Sequence, residues 1–527
     1  MRRLISILGV FILLAVSLFT GCQAPAAVAP TTPAPTPAEE ENAPLYGGVL
    51  KVIGGYFPDN IGDPRVPCWS PACVQPALEG LLRPDIQGKP TPWLATSFGW
   101  GKDLKSITFT LRQGVKYHDG TAFNAQSVKE ILDISRTSPS NPQLASITSI
   151  DILDEYTVRL NVKEYSDALL NAFWEPAGWM VSPTALKTQS EDWLASHPVG
   201  TGPFKLASYD RNVTIQYEKN PDYWIKGRPY LDGMEWIFIS DLTAGLLAFK
   251  GGTAQIDEWV TPDQAAELNK EPGKWIIQSY GAGIDGLLFS SANPDSPFHD
   301  VRVRQACCYA MNAQKLIDAM GQGLFLRNRG VIVSGSWAYN PAVPVGYDYN
   351  PEKARQLLAE TRYPNGFDTQ LYFEPETWSK DEMMVYADDL SKVGINVEVK
   401  AAVVAEYAKL KTQGWEGMLF GYLGGSLDFH PFSTLLARFS PQSGNYVSVA
   451  YPQEYVDTLN QAIAEPDLAK RKALADKLQK LIIDDYCLMY MAHQTNSASG
   501  QYLAVKDAMY LEVGAVWCPE EAWLAQK

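Results

Sequence analysis

Between Ile107 and Val128 the apolar and polar residues follow two successive rhythms. Ile107, Phe109 and Leu111 alternate with Thr108 and Thr110, the period of a strand with one face buried. Gln113-Gly114 then offers a turn in which a positive φ is tolerated. Val115 to Tyr117 reads as a short second strand, Asp119-Gly120 interrupts it, and Asn124 stands where an N-cap opens a helix through Val128 and Ile131. The same two rhythms recur along the chain. Gly47 to Val52 opens the folded part as a strand, Tyr156 to Leu160 alternates, and Trp275 to Tyr280 is extended. Asp300 caps a helix with Val303, Ala306, Cys307 and Ala310 on one face, and Asn350 with Pro351 starts another. Leu468 to Ile483 predicts an amphipathic helix carrying Leu474, Leu478, Leu481 and Ile482.

Gly281 to Gly286 spells GxGxxG, the spacing of a dinucleotide loop, but that loop needs a helix after it to offer its N–H groups to a pyrophosphate. Leu287-Leu288-Phe289 continues as strand, so the stretch predicts a glycine-rich crossing between two lobes. The chain has 527 residues, 46% hydrophobic and 20% charged, too many for one core, so two or three lobes are expected. Its formal net charge of −15 argues against a nucleic-acid partner, which requires basic patches. The five histidines are scattered, and no HExxH, GxSxG or phosphate-loop pattern occurs. A secreted hydrolase is therefore the weakest of the functional classes, and no catalytic residue, cofactor or metal is expected. His118 predicts a turn residue bonding to backbone.

Arg2 and Arg3 precede an apolar run from Leu4 to Phe19, which is short for a membrane span. This address segment, 1–21, holds no acid, and its removal takes the formal charge from −15 to −17. Leu18 to Cys22 resembles a lipobox, with Cys22 as the lipidated residue. Residues 22–45 are then a tether rich in Pro, Ala, Thr and Glu. An ordinary cleaved secretory signal is the alternative. Export permits disulfides, and Cys68 with Cys73, separated by WSPA, is the expected pair. Cys307 and Cys308, adjacent in a helix, face different ways and are expected as buried free thiols.

The segment ITFTLRQGVKYHDGTAFNAQSV, residues 107–128, closely resembles the signature of the family 5 solute-binding proteins, the peptide, nickel and oligosaccharide receptors of ABC importers. Pro198 to Phe204 (PVGTGPF), Glu218 to Trp224 (EKNPDYW), Phe298 to Asn312 (FHDVRVRQACCYAMN) and Lys392 to Glu398 (KVGINVE) resemble further family segments in the same order. The likeness runs from Gly47 to the C-terminus. It implies an α/β fold of the periplasmic-binding-protein-like type II class: two α/β lobes joined by a hinge, with an extra domain. The expected division is lobe I from 46–82, 202–282 and 492–527, an extra domain II from 83–201, and lobe II from 283–491. It implies hinge closure on one small solute and docking on an ABC permease with its ATPase. The protein is expected to be a monomer held by lipid outside the cell membrane, in the periplasm or on the cell surface.

In the peptide receptors of this family an Asp holds the α-ammonium, and Gly425 falls at its place, with Asp428 matching a second acid. Dipeptide receptors add an Arg in the region matching Leu371 to Trp378, which here has none. Glu374, Trp378, Trp415, Tyr422, Gly425, Asp428 and His430 are the candidate ligand contacts. A peptide-class ligand leads; an oligosaccharide or other neutral ligand stacked on Trp and Tyr, and a sensory role for the same receptor, are the alternatives. The aromatic residues of EKNPDYW are expected in a packed loop.

Overall fold

The first strand, β1 (Val49–Gly54), is covered on both faces and lies between two parallel partners, so its residues are almost uniformly apolar. The computed structural model describes residues 43–525 apart from 67, 69, 86–88, 335, 376, 425–430 and 511–515. Cys22, the tether up to residue 42, Gly425, Asp428 and His430 lie outside the described residues.

After β1 the chain builds a separate four-stranded antiparallel sheet. Its members are β2 (Ala95–Trp100), β3 (Ser106–Leu111), β4 (Ile147–Asp154) and β5 (Thr157–Val162), in the order β2-β3-β5-β4. Helix α1 (Ala125–Ser135) covers it. The alternation at 107–111 is realised: Ile107, Phe109 and Leu111 enter a core with Val128, Ile131, Val158 and Leu160. Asn124 caps α1 through a reciprocal box with Ser127. The expected second strand at Val115 to Tyr117 is reduced to one bridge, Lys116 to Ala122. The Tyr117 N–H is taken by the Thr121 carbonyl, which closes the turn before a ladder can extend.

The chain then returns to the first sheet with β6 (Phe204–Asp210), β7 (Thr214–Lys219), β8 (Gly233–Phe238) and β9 (Ile256–Asp257). The expected crossing is a single strand of 15 residues, β10 (Trp275–Phe289). Beyond it lie α2 (Val301–Ala310), β11 (Phe325–Leu326), α3 (Pro351–Ala359), β12 (Phe367–Phe373), α4 (Lys380–Ser391) and β13 (Ile395–Ala401). There follow α5 (Val404–Gln413), β14 (Met418–Gly424), α6 (Pro431–Arg438), α7 (Gln453–Ala464) and α8 (Leu468–Lys480), with the late helix ending in a π turn at Leu481–Asp485. The long strand β15 (Met489–Tyr502) closes the series. Asp300 and Asn350 cap α2 and α3 as expected.

Among the described residues these strands form one eleven-stranded sheet, β13-β12-β14-β10-β15-β9-β1-β8-β7-β6, with β11 also paired to β15. Only β10 and β15 are shared between its two halves. A large apolar core from Ile284 to Ala492 serves one half, and two smaller clusters around Trp236 and Phe249 serve the other. In β15, Gly500 and Gln501 pair with β9 while Met489 to Gln494 lie beyond the crossing point.

One carboxylate ties the extra sheet to the first half. Glu79 is buried and accepts from Trp93 Nε1 (2.9 Å), Thr201 Oγ1 (2.7 Å), Tyr223 OH (2.8 Å) and Trp224 Nε1 (3.1 Å). The aromatic residues of EKNPDYW are thus packing and hydrogen-bonding partners. A Cβ on Gly200 would sit 2.1 Å from the Ala77 carbonyl oxygen and one on Gly202 2.4 Å from that of Pro76, which explains the glycines of PVGTGPF. His118 bonds to the Gly202 carbonyl at 3.0 Å, and burial lowers its pKa to about 4, so it is neutral at pH 7.

Cys68 and Cys73, the expected pair, are separate thiols in this structure, and Cys73, buried at the end of the 3-10 turn Pro71–Cys73, directs its Sγ to the Ser70 carbonyl at 3.1 Å. That turn commits the Cys73 side chain to its own loop. Cys307 and Cys308 are both buried free thiols.

Candidate functional site

Strand direction locates the site. β1, β8 and β9 are mutually parallel, and β9 and β10 are both antiparallel to β15, so all four run the same way. β14 is antiparallel to β10, and β12 and β13 are parallel to β14. The carboxyl ends of the two half-sheets therefore face each other across the junction that β10 and β15 span. In open α/β sheets ligands bind outside the carboxyl ends of the strands; here two such ends share one opening. Tyr56 and Trp259, just past the ends of β1 and β9, are each about half exposed, at 54% and 52%.

On the opposite side, Glu374 and Trp378 follow the carboxyl end of β12. Trp378 is half-buried and donates its Nε1 to Asp285 Oδ1 at 3.2 Å. Asp285, on β10, also accepts from the Thr495 hydroxyl of β15. Burial raises its pKa to about 6 against these two donors. His493 pairs with Asp285 in register and is stacked on Phe325 at 4.1 Å. Burial, with Arg327 nearby, lowers its pKa to about 3. Its ring nitrogens lie 3.8 Å from Asp285 and 3.7 Å from Glu382, whose carboxyl is pushed up by burial and by Asp285. The crossing point is thus floored by two buried acids and a neutral imidazole.

Tyr422, near the carboxyl end of β14, lies flat against β10: a Cβ on Gly283 would meet its ring at 2.0 Å. The Arg438 guanidinium sits 4.7 Å from the Tyr422 ring centroid. Lys411, 5.1 Å from the Tyr407 ring centroid, has its pKa lowered by burial and by Arg438 and supported by Glu374. Two cations and one carboxylate therefore share this end of the sheet with Trp378 and Tyr422. Such a mixture recognises a ligand with charged ends and has the means to hold a carboxylate. Among the described residues no group of His, Cys, Asp or Glu could hold a metal ion, and no helix is long and apolar enough to cross a membrane.

The chain matches the model of the bacterial extracellular solute-binding proteins, family 5, over residues 89–445. It belongs to that family. A glutathione-binding protein, GsiB, of Pectobacterium atrosepticum is 30% identical over 432 residues, covering 79% of this chain and 82% of the relative. Among solved structures, the ABC transporter-associated periplasmic binding protein DppA of Helicobacter pylori in complex with the peptide STSA superposes with a TM-score of 0.76. It is 22% identical and covers 93% of this chain and 100% of that one. AgaA of A. tumefaciens R10, in complex with agropinic acid, gives 0.71 at 25% identity, covering 91% and 99%. The family 5 protein accordingly has the type II periplasmic-binding fold, and its role is solute binding.

Of the contacts expected from sequence, the family 5 protein brings Glu374, Trp378 and Tyr422 to one end of the sheet. Trp415 is not with them. It precedes the amino end of β14, is 5% exposed, and packs edge-on to Tyr446 in the core. Arg438, Lys411 and Asp285 were not anticipated. Arg438 and Lys411 lie in the last turns of helices, where a basic residue commonly complements the helix dipole, so nothing local marked them.

Proposed function

We propose that this protein is an extracytoplasmic receptor that closes by a hinge on a peptide-class ligand and delivers it to an ABC permease and its ATPase. The observation that carries this is the opposition of the two sets of strand ends, joined in the sheet of the described residues by β10 and β15, with Arg438, Lys411, Glu374, Trp378 and Tyr422 at one of them. A two-strand junction whose pairing shifts register between Gly281 and Gly283 and between Asp285 and Gly286 permits closure, and charged groups of both signs suit a zwitterionic ligand with a carboxylate. The glutathione-binding and peptide-bound relatives support that class. Asp428, Gly425 and His430 complete the proposed contact set. The proposed division keeps lobe I at 46–82, 202–282 and 492–527, the extra domain at 83–201 and lobe II at 283–491. Lipidation at Cys22 tethers the monomer to the outer face of the membrane.

Thermal melting against glutathione, short peptides and oligosaccharides tests the ligand class. A ligand at 100 times its Kd adds about 2.7 kcal/mol to the native state. Peptides or glutathione are expected to raise the melting point. A shift with oligosaccharides alone overturns the peptide class and makes Trp378 and Tyr422 sugar-stacking residues.

A further inference from the structure

Away from the cleft, two of the buried thiols meet. Cys308 is in α2, and Cys487 lies between the π turn at Leu481–Asp485 and the start of β15. Their Sγ atoms are 3.4 Å apart, and both residues are wholly buried. The approach is held from outside the sulfurs. Arg304, also in α2, donates from Nε to the Cys487 carbonyl at 2.9 Å and from Nη2 to the Tyr486 carbonyl at 2.6 Å. The helix bearing one thiol therefore grips the turn bearing the other. Cys487 itself has φ +44°, a backbone region that favours glycine or asparagine, so the turn carries a cysteine where its backbone would suit a smaller or more permissive residue.

We propose that Cys308 and Cys487 are joined by a disulfide in the exported protein. The proposal rests on the extracytoplasmic location of the receptor, where disulfides form and persist. Two S–H bonds break and one S–S bond forms. The two protons and two electrons pass to a disulfide of a thiol oxidoreductase or of a small molecule, which leaves as two thiols. The sulfurs close by about 1.4 Å to reach bonding distance. Because both are sealed in the fold, exchange precedes the packing of α2 on the turn, and the finished bond is shielded from reductants. It joins residues 179 apart, near the beginning and the end of the second half. It also fixes the root of β15, one of the two strands that cross to the other half.

The test uses the full chain, exported by its host and denatured in an alkylating agent without reductant, followed by peptide mapping. The expected result is a linked Cys308–Cys487 peptide pair about 2 Da lighter than the sum of its reduced parts. Protein reduced under denaturant, its thiols kept reduced, and refolded should melt lower than the untreated native sequence, whereas the same treatment should leave the melting point of Cys308→Ser unchanged. Full alkylation of Cys308 and Cys487, or a link from Cys487 to Cys307, overturns the proposal. The mapping needs only the native sequence, so a variant that fails to fold does not obscure it. Ligand-induced melting shifts of the same preparation report on the receptor role separately: a shift with both thiols alkylated leaves that role standing and rejects the disulfide.

Discussion

Tyr165→Phe removes one hydroxyl from a contact that bridges the extra sheet and the second half of the molecule. The Arg471 Nη2 of α8 donates to the Tyr165 hydroxyl at 3.1 Å. Arg471 is 4% exposed and is positioned independently, donating from Nε to the Glu465 carbonyl at 2.9 Å and lying 5.5 Å from the Trp337 ring centroid. The Tyr165 ring packs on Trp100 at 4.7 Å, a contact that phenylalanine keeps. A hydrogen bond from a charged donor contributes about 1.5–3 kcal/mol. The low end applies here because Tyr165 is only half-buried. If the proposed opening separates α8 from the extra sheet, the bond belongs to the closed form and its loss falls on binding. About 1.4 kcal/mol is a tenfold weaker Kd. Isothermal titration with whichever peptide raises the melting point should show that weakening, while the ligand-free melting point stays within about 1 °C. Arg471→Ala should weaken binding further, and a double-mutant cycle should return a coupling of similar size. A Kd within twofold of the native protein would refute the assignment of this contact to the closed state.

Three further outcomes are expected. Glu79→Leu leaves four donors without their acceptor; at about 1 kcal/mol each the loss is about 4 kcal/mol. With about 2.1 cal/mol/K per residue, a chain of this length should melt about 4 °C lower, as calorimetry will read. Asp285 has a folded pKa raised from 3.8 to about 6, so the folded state holds its proton more tightly than the unfolded state does. The associated stability is fully present below about pH 4 and is lost as pH rises through about 6, an amount of about 3 kcal/mol. Urea unfolding of Asp285→Asn should lack that fall between pH 4 and 7. Arg438→Gln should weaken binding of a carboxylate-bearing ligand about tenfold, at the low end for an exposed charge-assisted bond, without lowering the melting point. Equal affinity would remove Arg438 from the site.

What the sequence disclosed was local. The alternation at 107–111, the caps at Asn124, Asp300 and Asn350, and the extended run through Gly281 to Phe289 are each decided by neighbours a few residues apart, and each is present. What it hid was direction. Period-two alternation does not say which end of a strand meets the ligand, so Trp415, before the amino end of β14, and Trp378, beyond the carboxyl end of β12, look alike in sequence. Their fates differ because one end is buried in the core and the other opens on the junction. For Cys68 and Cys73, too, short spacing brings two cysteines near without saying where Cys73 points, which the 3-10 turn sets. Partners far apart in the chain, such as Cys308 with Cys487 or Trp378 with Asp285, leave no mark at short range.

The four donors on Glu79 come from three separate stretches of chain: Tyr223 and Trp224 hold the carboxylate from its own half, while Trp93 and Thr201 would lose their acceptor if the extra domain slid on that half. That penalty welds the two into one block. On the proposed division into three pieces, that seam leaves the junction at β10 and β15 as the joint for closure, so ligand binding energy is not dissipated among competing swings. If the proposed hinge closure carries α8 against the extra sheet, the gap between Tyr165 and Arg471, 3.1 Å here, is a gauge of it.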